Sequence, residues 1–285
     1  MRPSILTDWT AAKAAAFTRE TVRFRHQLQQ RLTFSDAVLV DLLSRYPRER
    51  VAVFTMGADR TSWRRGVADD LSGAELFRAA QTGRIWLSLP AIHEHHPDYA
   101  RFAPQVRTFR RGLTLSLSSP GAVDFYQAGL AATATYQIRG ERELWVYPSG
   151  EPHVRDEALE RRVLGEGPRH LDYDPAWDAA ASRLELAAGT MACWAPGAPY
   201  RSVNRGFNVT LTAEFMTPAA QQRVDVLYAN ARLRRSLGVR PAIQQGLHPA
   251  ALGKAALAQV LQGLGGKRRF KPSRPEFKLA RSHAA

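Results

Sequence analysis

Two groups of residues in this sequence have the types and spacing to bind a metal ion. The stretch "AIHEHHPDY" crowds His93, His95 and His96 together, and a literal H-x-D stands at His170 and Asp172, with His248 far downstream. Two imidazoles and one carboxylate on one side of an ion form the facial site that non-haem Fe(II) uses. Neither setting suits that geometry. The first group precedes the strand-rich part of the chain, and the second lies in the acidic, Pro-rich loop "GEGPRHLDYDPAWD" rather than on a strand. His26, His153 and His283 have no acidic or imidazole neighbour at ligand spacing, so they read as packed or solvent-facing. Cys193 is the single cysteine, which excludes an internal disulfide and a thiolate cluster; in the apolar "TMACWAP" it reads as an inert core thiol.

The elements that must position any site divide the chain into three regions, 1–110, 111–217 and 218–285. In the first, "FSDAVLVDLLSRYPRE" has a Ser35 cap and an apolar stripe at Val38, Leu39, Leu42 and Leu43, which predicts a helix ending before Pro47. "SGAELFRAAQTG" carries a capping box, Ser72 with Glu75, and stops at Gly83; "VAVFTMG" and "RIWLSLP" read as buried strands. The middle region is strand-dominated. "LTLSLSS", "ATATYQI", "ELWVYP", "MACWAP" and "NVTLTAEFM" are short, rich in β-branched or aromatic residues and separated by turn residues such as Arg139-Gly140, a spacing that predicts a sandwich or barrel. A long helix follows from Thr217 and Pro218, with its stripe at Val224, Leu227, Tyr228 and Ala231 and its stop at Gly238.

Composition bounds the function. With 285 residues and 45% hydrophobic content the chain can bury a large core, while no apolar run approaches the roughly 18 residues of a membrane span. The opening "MRPSILTDWTAAKAAAF" lacks the continuous apolar stretch of a secretory signal, so a cytoplasmic protein without membrane contact is expected. The net charge of +14 is uneven: residues 231–285 hold twelve Lys or Arg against the single acid Glu276, a surplus of +11. That surplus could attract nucleic acid or another polyanion, or simply solubilise a terminus. The composition of "GGKRRFKPSRPEFKLARSHAA" predicts a tail that is only partly ordered and dispensable for stability.

"YQIRGERELWVYP", followed about fifty residues later by "LAAGTMACWAPGAPYRSVNRGFNVTLTAEF", resembles the core of the JmjC-like cupins, the family that includes Fe(II) and 2-oxoglutarate dependent hydroxylases. "FRHQLQQRLTFSDAVLVDLLSRYP" and "TGRIWLSLPAIHEHHPDY" resemble its bacterial branch, and the second stretch matches a surface turn there, so the resemblance reaches to about Leu237. It implies an α/β protein: a double-stranded β-helix (jelly roll), with an N-terminal α/β segment and C-terminal helices. It also implies where the iron ligands would stand. The H-x-D pair falls on Gln127 and Gly129, and the distal His on Tyr200, so none of the three is a conventional ligand.

The family's carboxylate clamp, two positions beyond the I-R-G glycine, falls on Arg142, which an alternative reading pairs with Asp124 or Glu214 instead. The resemblance thus implies a ligand pocket of Arg142, Tyr126, Gln127, Gly129, Tyr136 and Tyr200, with no catalytic residue, no metal and no cofactor. The expected function is non-catalytic or metal-independent binding of a small acid or a protein segment. The alternatives are an active hydroxylase using Fe(II) and 2-oxoglutarate through unconventional ligands, and a nucleic-acid accessory protein acting through residues 231–285.

Overall fold

The computed structural model describes residues 5–56, 63–102, 112–166, 171–238, 249–263 and 275–279. The first region supplies α1 (Ala11–Ala16), β1 (Val22–Arg25), α2 (Asp36–Arg45), β2 (Ala52–Met56), β3 (Trp63–Val67), α3 (Gly73–Thr82), β4 (Ile85–Leu89), α4 (Ile92–His95) and α5 (Pro97–Phe102). The middle region supplies β5 (Leu113–Ser118), β6 (Val123–Ala128), β7 (Ala132–Arg139), β8 (Glu141–Val146), α6 (Asp156–Val163), β9 (Ser182–Ala187), β10 (Thr190–Trp194), β11 (Pro199–Asn204) and β12 (Asn208–Phe215). Then come α7 (Pro218–Leu237), α8 (Pro249–Gly263) and β13 (Phe277–Lys278).

The expected caps are in place. Ser35 accepts from the Val38 amide, Ser72 and Glu75 close a reciprocal capping box, and Thr217 accepts from the Ala220 amide, so each helix satisfies amides that have no intrahelical partner. Gly238 ends α7 at φ +67°, a left-handed conformation that favours glycine.

Strands β5 to β12 form the expected jelly roll. They divide between a four-stranded sheet, β6-β11-β8-β9, and the centre of a larger one, β10-β7-β12-β5, with every pair antiparallel. Gly140 makes the β7–β8 turn at φ +75°, and a Cβ there would lie 2.2 Å from the Phe207 carbonyl oxygen, so both backbone and space demand glycine. The N-terminal strands do more than wrap this barrel. β4, β2 and β3 continue the large sheet beyond β5, and β1 closes its other edge on β10, which makes nine strands with β13.

The large sheet has two unlike faces, because side chains alternate along each strand. Leu113, Leu115 and Leu117 of β5, Val209, Leu211 and Ala213 of β12, and Ala134, Tyr136 and Ile138 of β7 are buried in one core with Leu39, Leu43 and Leu76 of α2 and α3. Each fully buried Leu contributes about 1.5–3 kcal/mol. The intervening residues, mostly Thr and Ser, face the barrel interior.

The C-terminus departs from expectation at one segment. β13 runs parallel to β3, pairing Phe277 with Gly66 and Lys278 with Val67, and Lys278 forms an ion pair with Asp70. The Phe277 ring occupies the space beside Gly66 that a Cβ would need, and Leu279 is 5% exposed within the main core. Residues 275–279 are therefore part of the fold, because two apolar side chains in an otherwise polar segment are enough to seat a short edge strand. The basic run from Lys267 to Arg274 lies outside the described residues. Leu279→Ala should cost about 2–4 kcal/mol of stability, read from the midpoint of urea unfolding. An unchanged midpoint would show a dispensable terminus.

Candidate functional site

The barrel opens into a cavity of about 460 Å3 bounded by the inner faces of both sheets. Gln127, Tyr200 and Arg142 line it, together with Asp124, Glu214 and Arg162. Tyr200 on β11 pairs directly with Gln127 on β6 and with Val146 on β8, so two of the three positions implied for iron ligands are cross-strand neighbours. Gly129 lies just past the end of β6, where its carbonyl accepts from the Gly197 amide. A Cβ at Gly129 would meet only the Ala131 oxygen at 3.5 Å and Thr133 Oγ1 at 3.6 Å, ordinary contacts. Nothing in the backbone there requires a glycine.

A β-bulge sets the orientation of β6. Between the pairs Tyr200–Gln127 and Ser202–Asp124 it spends one residue more than β11 does. The extra residue turns both Asp124 and Gln127 into the cavity although they are three apart, as bulges commonly re-aim side chains beside sites. Tyr126 points the other way. Its ring packs on Tyr147 outside the small sheet, with centroids 4.9 Å apart, and its hydroxyl donates to the His153 carbonyl at 2.8 Å. Tyr136 also leaves the expected pocket: strand alternation puts it on the apolar face of β7, edge-on to His26. Neither tyrosine lines the cavity, a correction that follows from period two and one bulge.

Arg142 is 9% exposed and enters the cavity from β8. Its Nη2 donates to Thr135 Oγ1 at 2.6 Å, and its Nη1 lies 3.5 Å from Asp124 Oδ2, which also accepts from Ser202 Oγ at 2.7 Å. The pairing with Asp124 is therefore real, yet the buried Nε has no partner among the described residues. Burial lowers the Arg142 pKa and Asp124 opposes that shift, while the guanidinium stays charged at any ordinary pH. Burial likewise pushes the Tyr200 phenol above its ordinary value, so near neutrality it is a protonated, neutral group.

Arg162 of α6, which no motif marks, contributes a second cation to the lining. Its helix was readable from Asp156 and Glu157 in the first turn and Arg161 and Arg162 in the last, charges that match the helix dipole.

His26, His93, His95 and His96 have structural partners. His93 accepts from the Leu113 amide at 3.4 Å and fills the space beside Gly112; His95 lies edge-on to Tyr46 and meets Arg50 at 3.0 Å; His96 accepts from the Asp98 amide and lies edge-on to Tyr99. His26 is buried, with its pKa depressed by burial, and it bonds the Gln137 carbonyl and the Leu28 amide. Asp172 is exposed, while His170 and His248 lie outside the described residues. Cys193 is fully buried, and burial pushes its thiol up to about 12. Among the described residues no three His, Cys, Asp or Glu are grouped to hold a metal, and no helix is long and apolar enough to cross a membrane.

No protein-family model and no curated protein matches the sequence. Solved structures do match its fold. The X-ray structure of Escherichia coli ycfD superposes with a TM-score of 0.54 at 18% identity, covering 97% of this chain and 76% of that one. The structure of YcfD, a ribosomal oxygenase from Escherichia coli, in complex with cobalt and 2-oxoglutarate gives 0.52 at 17% identity, covering 96% and 74%. The fold is thus that of the JmjC-type cupins, as the sequence resemblance implied.

The Fe(II) that such a fold implies does not suit the residues here. The implied ligand positions offer a neutral amide, no side chain and a protonated phenol, and of the cavity's carboxylates Asp124 is engaged by Arg142 and Ser202. Gln127 and Tyr200 are cross-strand neighbours, and Gly129 has room for a side chain. The triple change Gln127→His, Gly129→Asp, Tyr200→His should therefore create a Co(II) site detectable by bound-metal analysis and visible absorption. A folded triple variant without Co(II) would show that the three positions do not converge.

Proposed function

We propose that this chain, built on the JmjC-type cupin fold, is a binding protein that holds a small carboxylate ligand, or a carboxylate-bearing protein segment, in the barrel cavity without iron chemistry. The observation that carries the reading is Arg142: a buried guanidinium that lines the cavity together with Gln127 and Tyr200, two of the three positions implied for iron ligands. A guanidinium recognises a carboxylate through charge-assisted hydrogen bonds. Asp124 holds the group charged and in place through Nη1, and Thr135 fixes Nη2, so a ligand finds the clamp already oriented. Gln127 and Tyr200 add neutral donors and acceptors beside it.

The name of the solved neighbour, a ribosomal oxygenase, together with the +11 surplus in residues 231–285, supports a second reading in which the C-terminus contacts a ribosomal or other polyanionic surface. Replacing Lys267, Arg268 and Arg269 by Gln should then flatten the log–log salt dependence of RNA binding by roughly two to three units. An unchanged slope removes that reading.

For the cavity, the test is calorimetric titration with succinate and 2-oxoglutarate. A buried charge-assisted pair contributes about 1.5–3 kcal/mol, so Arg142→Met should weaken these acids by roughly 10- to 150-fold. Equal affinity in wild type and variant would make the arginine purely structural. Iron bound stoichiometrically by the wild type, with succinate formed from 2-oxoglutarate, would overturn the non-catalytic reading.

A further inference from the structure

The inner face of the large sheet carries a grid of hydroxyls. Strand register places Ser88 of β4 opposite Ser116 of β5, and Ser116 opposite Thr210 of β12. Two residues along, Thr114 of β5 faces Thr212 of β12, which faces Thr135 of β7. All six line the same cavity as Arg142, and the Thr135 and Thr212 hydroxyls are 3.3 Å apart. Neighbours across strands stand about 4.8 Å apart and rows about 7 Å apart, so the grid spans a ligand several heavy atoms wide.

From this grid we infer that the cavity is built for a polyhydroxylated monocarboxylate, a sugar acid, an inference that rests on the reading of Arg142 as the carboxylate anchor. A hydroxyl both donates and accepts. Its best complement is another group that does both, and a row of hydroxyls matches a ligand with hydroxyls on successive carbons. A carboxylate only accepts, so a bare dicarboxylate would leave the lone pairs of the grid without donors. Glu214 and Asp124 line the same space as acceptors for ligand hydroxyl protons.

Charge points the same way. The ionisable side chains of the lining, Asp124, Glu214, Arg142 and Arg162, sum to zero. With a neutral lining, one ligand carboxylate beside Arg142 leaves a single net negative charge in this low-dielectric space and a second would double it, which favours a monocarboxylate. The cavity also has apolar walls: Trp194 packs against Tyr200 with ring centroids 4.9 Å apart, and Trp86 lines the large-sheet side. Flat rings of this kind suit the C–H face of a sugar, and the volume of about 460 Å3 falls within the roughly 300–1,000 Å3 of small-molecule sites.

The experiment titrates the full chain with D-glucuronate, D-galacturonate, D-gluconate and succinate. At least one sugar acid should bind about ten-fold or more tightly than succinate, the equivalent of one well-formed hydrogen bond. The double change Ser88→Ala, Thr210→Val, which leaves the Thr135–Thr212 pair beside Arg142 intact, should remove that advantage and leave succinate affinity within about two-fold. Ser116→Ala, a smaller change, serves as the second variant if the double one fails to fold, with the same direction expected. Succinate binding as tightly as every sugar acid, or sugar-acid affinity unmoved by these variants, would overturn the inference. If Arg142→Met still weakens succinate in that case, the anchor stands and only the ligand class falls. No binding of any acid, or binding indifferent to Arg142→Met, overturns both.

Discussion

The large sheet has to satisfy two solvents at once, and the rest of the structure follows from that. Along β5, β7 and β12 the same strands carry leucine, valine or alanine toward α2 and α3 and threonine, serine or glutamate toward the barrel interior. An apolar face this large is stable only when covered, which is why the N-terminal helices lie across it. A polar face inside a barrel is tolerable only where it has hydrogen-bonding partners or water, which is why the interior is a cavity and not a packed core. Below it, Leu144, Val146, Leu186 and Trp194 form a separate apolar cluster joining the two sheets.

Arg142 concentrates the cost of that polar interior. A guanidinium removed from water loses hydration that neighbouring groups must replace. Asp124, itself steadied by Ser202, supplies the countercharge, and Thr135 supplies an acceptor. The Nε is left over. A buried donor without an acceptor costs about 1–3 kcal/mol, a cost the fold bears for placing a guanidinium here.

The cavity also separates scaffold from chemistry. Gln127 and Tyr200 remain cross-strand neighbours, and Gly129 has room for a side chain it lacks. The hydrogen-bond register of β6 and β11 is set by the backbone and by apolar neighbours such as Ala128 and Ala198, so it does not depend on what the inward side chains can ligate. Fold and iron chemistry are thereby decoupled, and a likeness of fold at 17–18% identity says nothing of the reaction.

Much of the architecture was legible in the sequence. Local chemistry decides the caps at Ser35, Ser72 and Thr217, the Gly140 turn and the strands whose apolar residues alternate or cluster, so each was readable from a few adjacent residues. The resemblance around "IRGERELW" located Gln127, Gly129, Tyr200 and Arg142, three of which the fold brings to one cavity, with Gly129 at its margin. Strands β6, β9 and β11 were not readable, because "VDFYQA", "SRLELA" and "PYRSVN" mix polar and apolar residues without a clean period and are strands only through their partners. Likewise only the tertiary structure decided that Tyr126 and Tyr136 face away, that Asp124 shares a cavity with Gln127, and that Leu279 closes the core. Each depends on a register, a bulge or a long-range pairing, and these are set by contacts between segments that composition and local spacing do not encode.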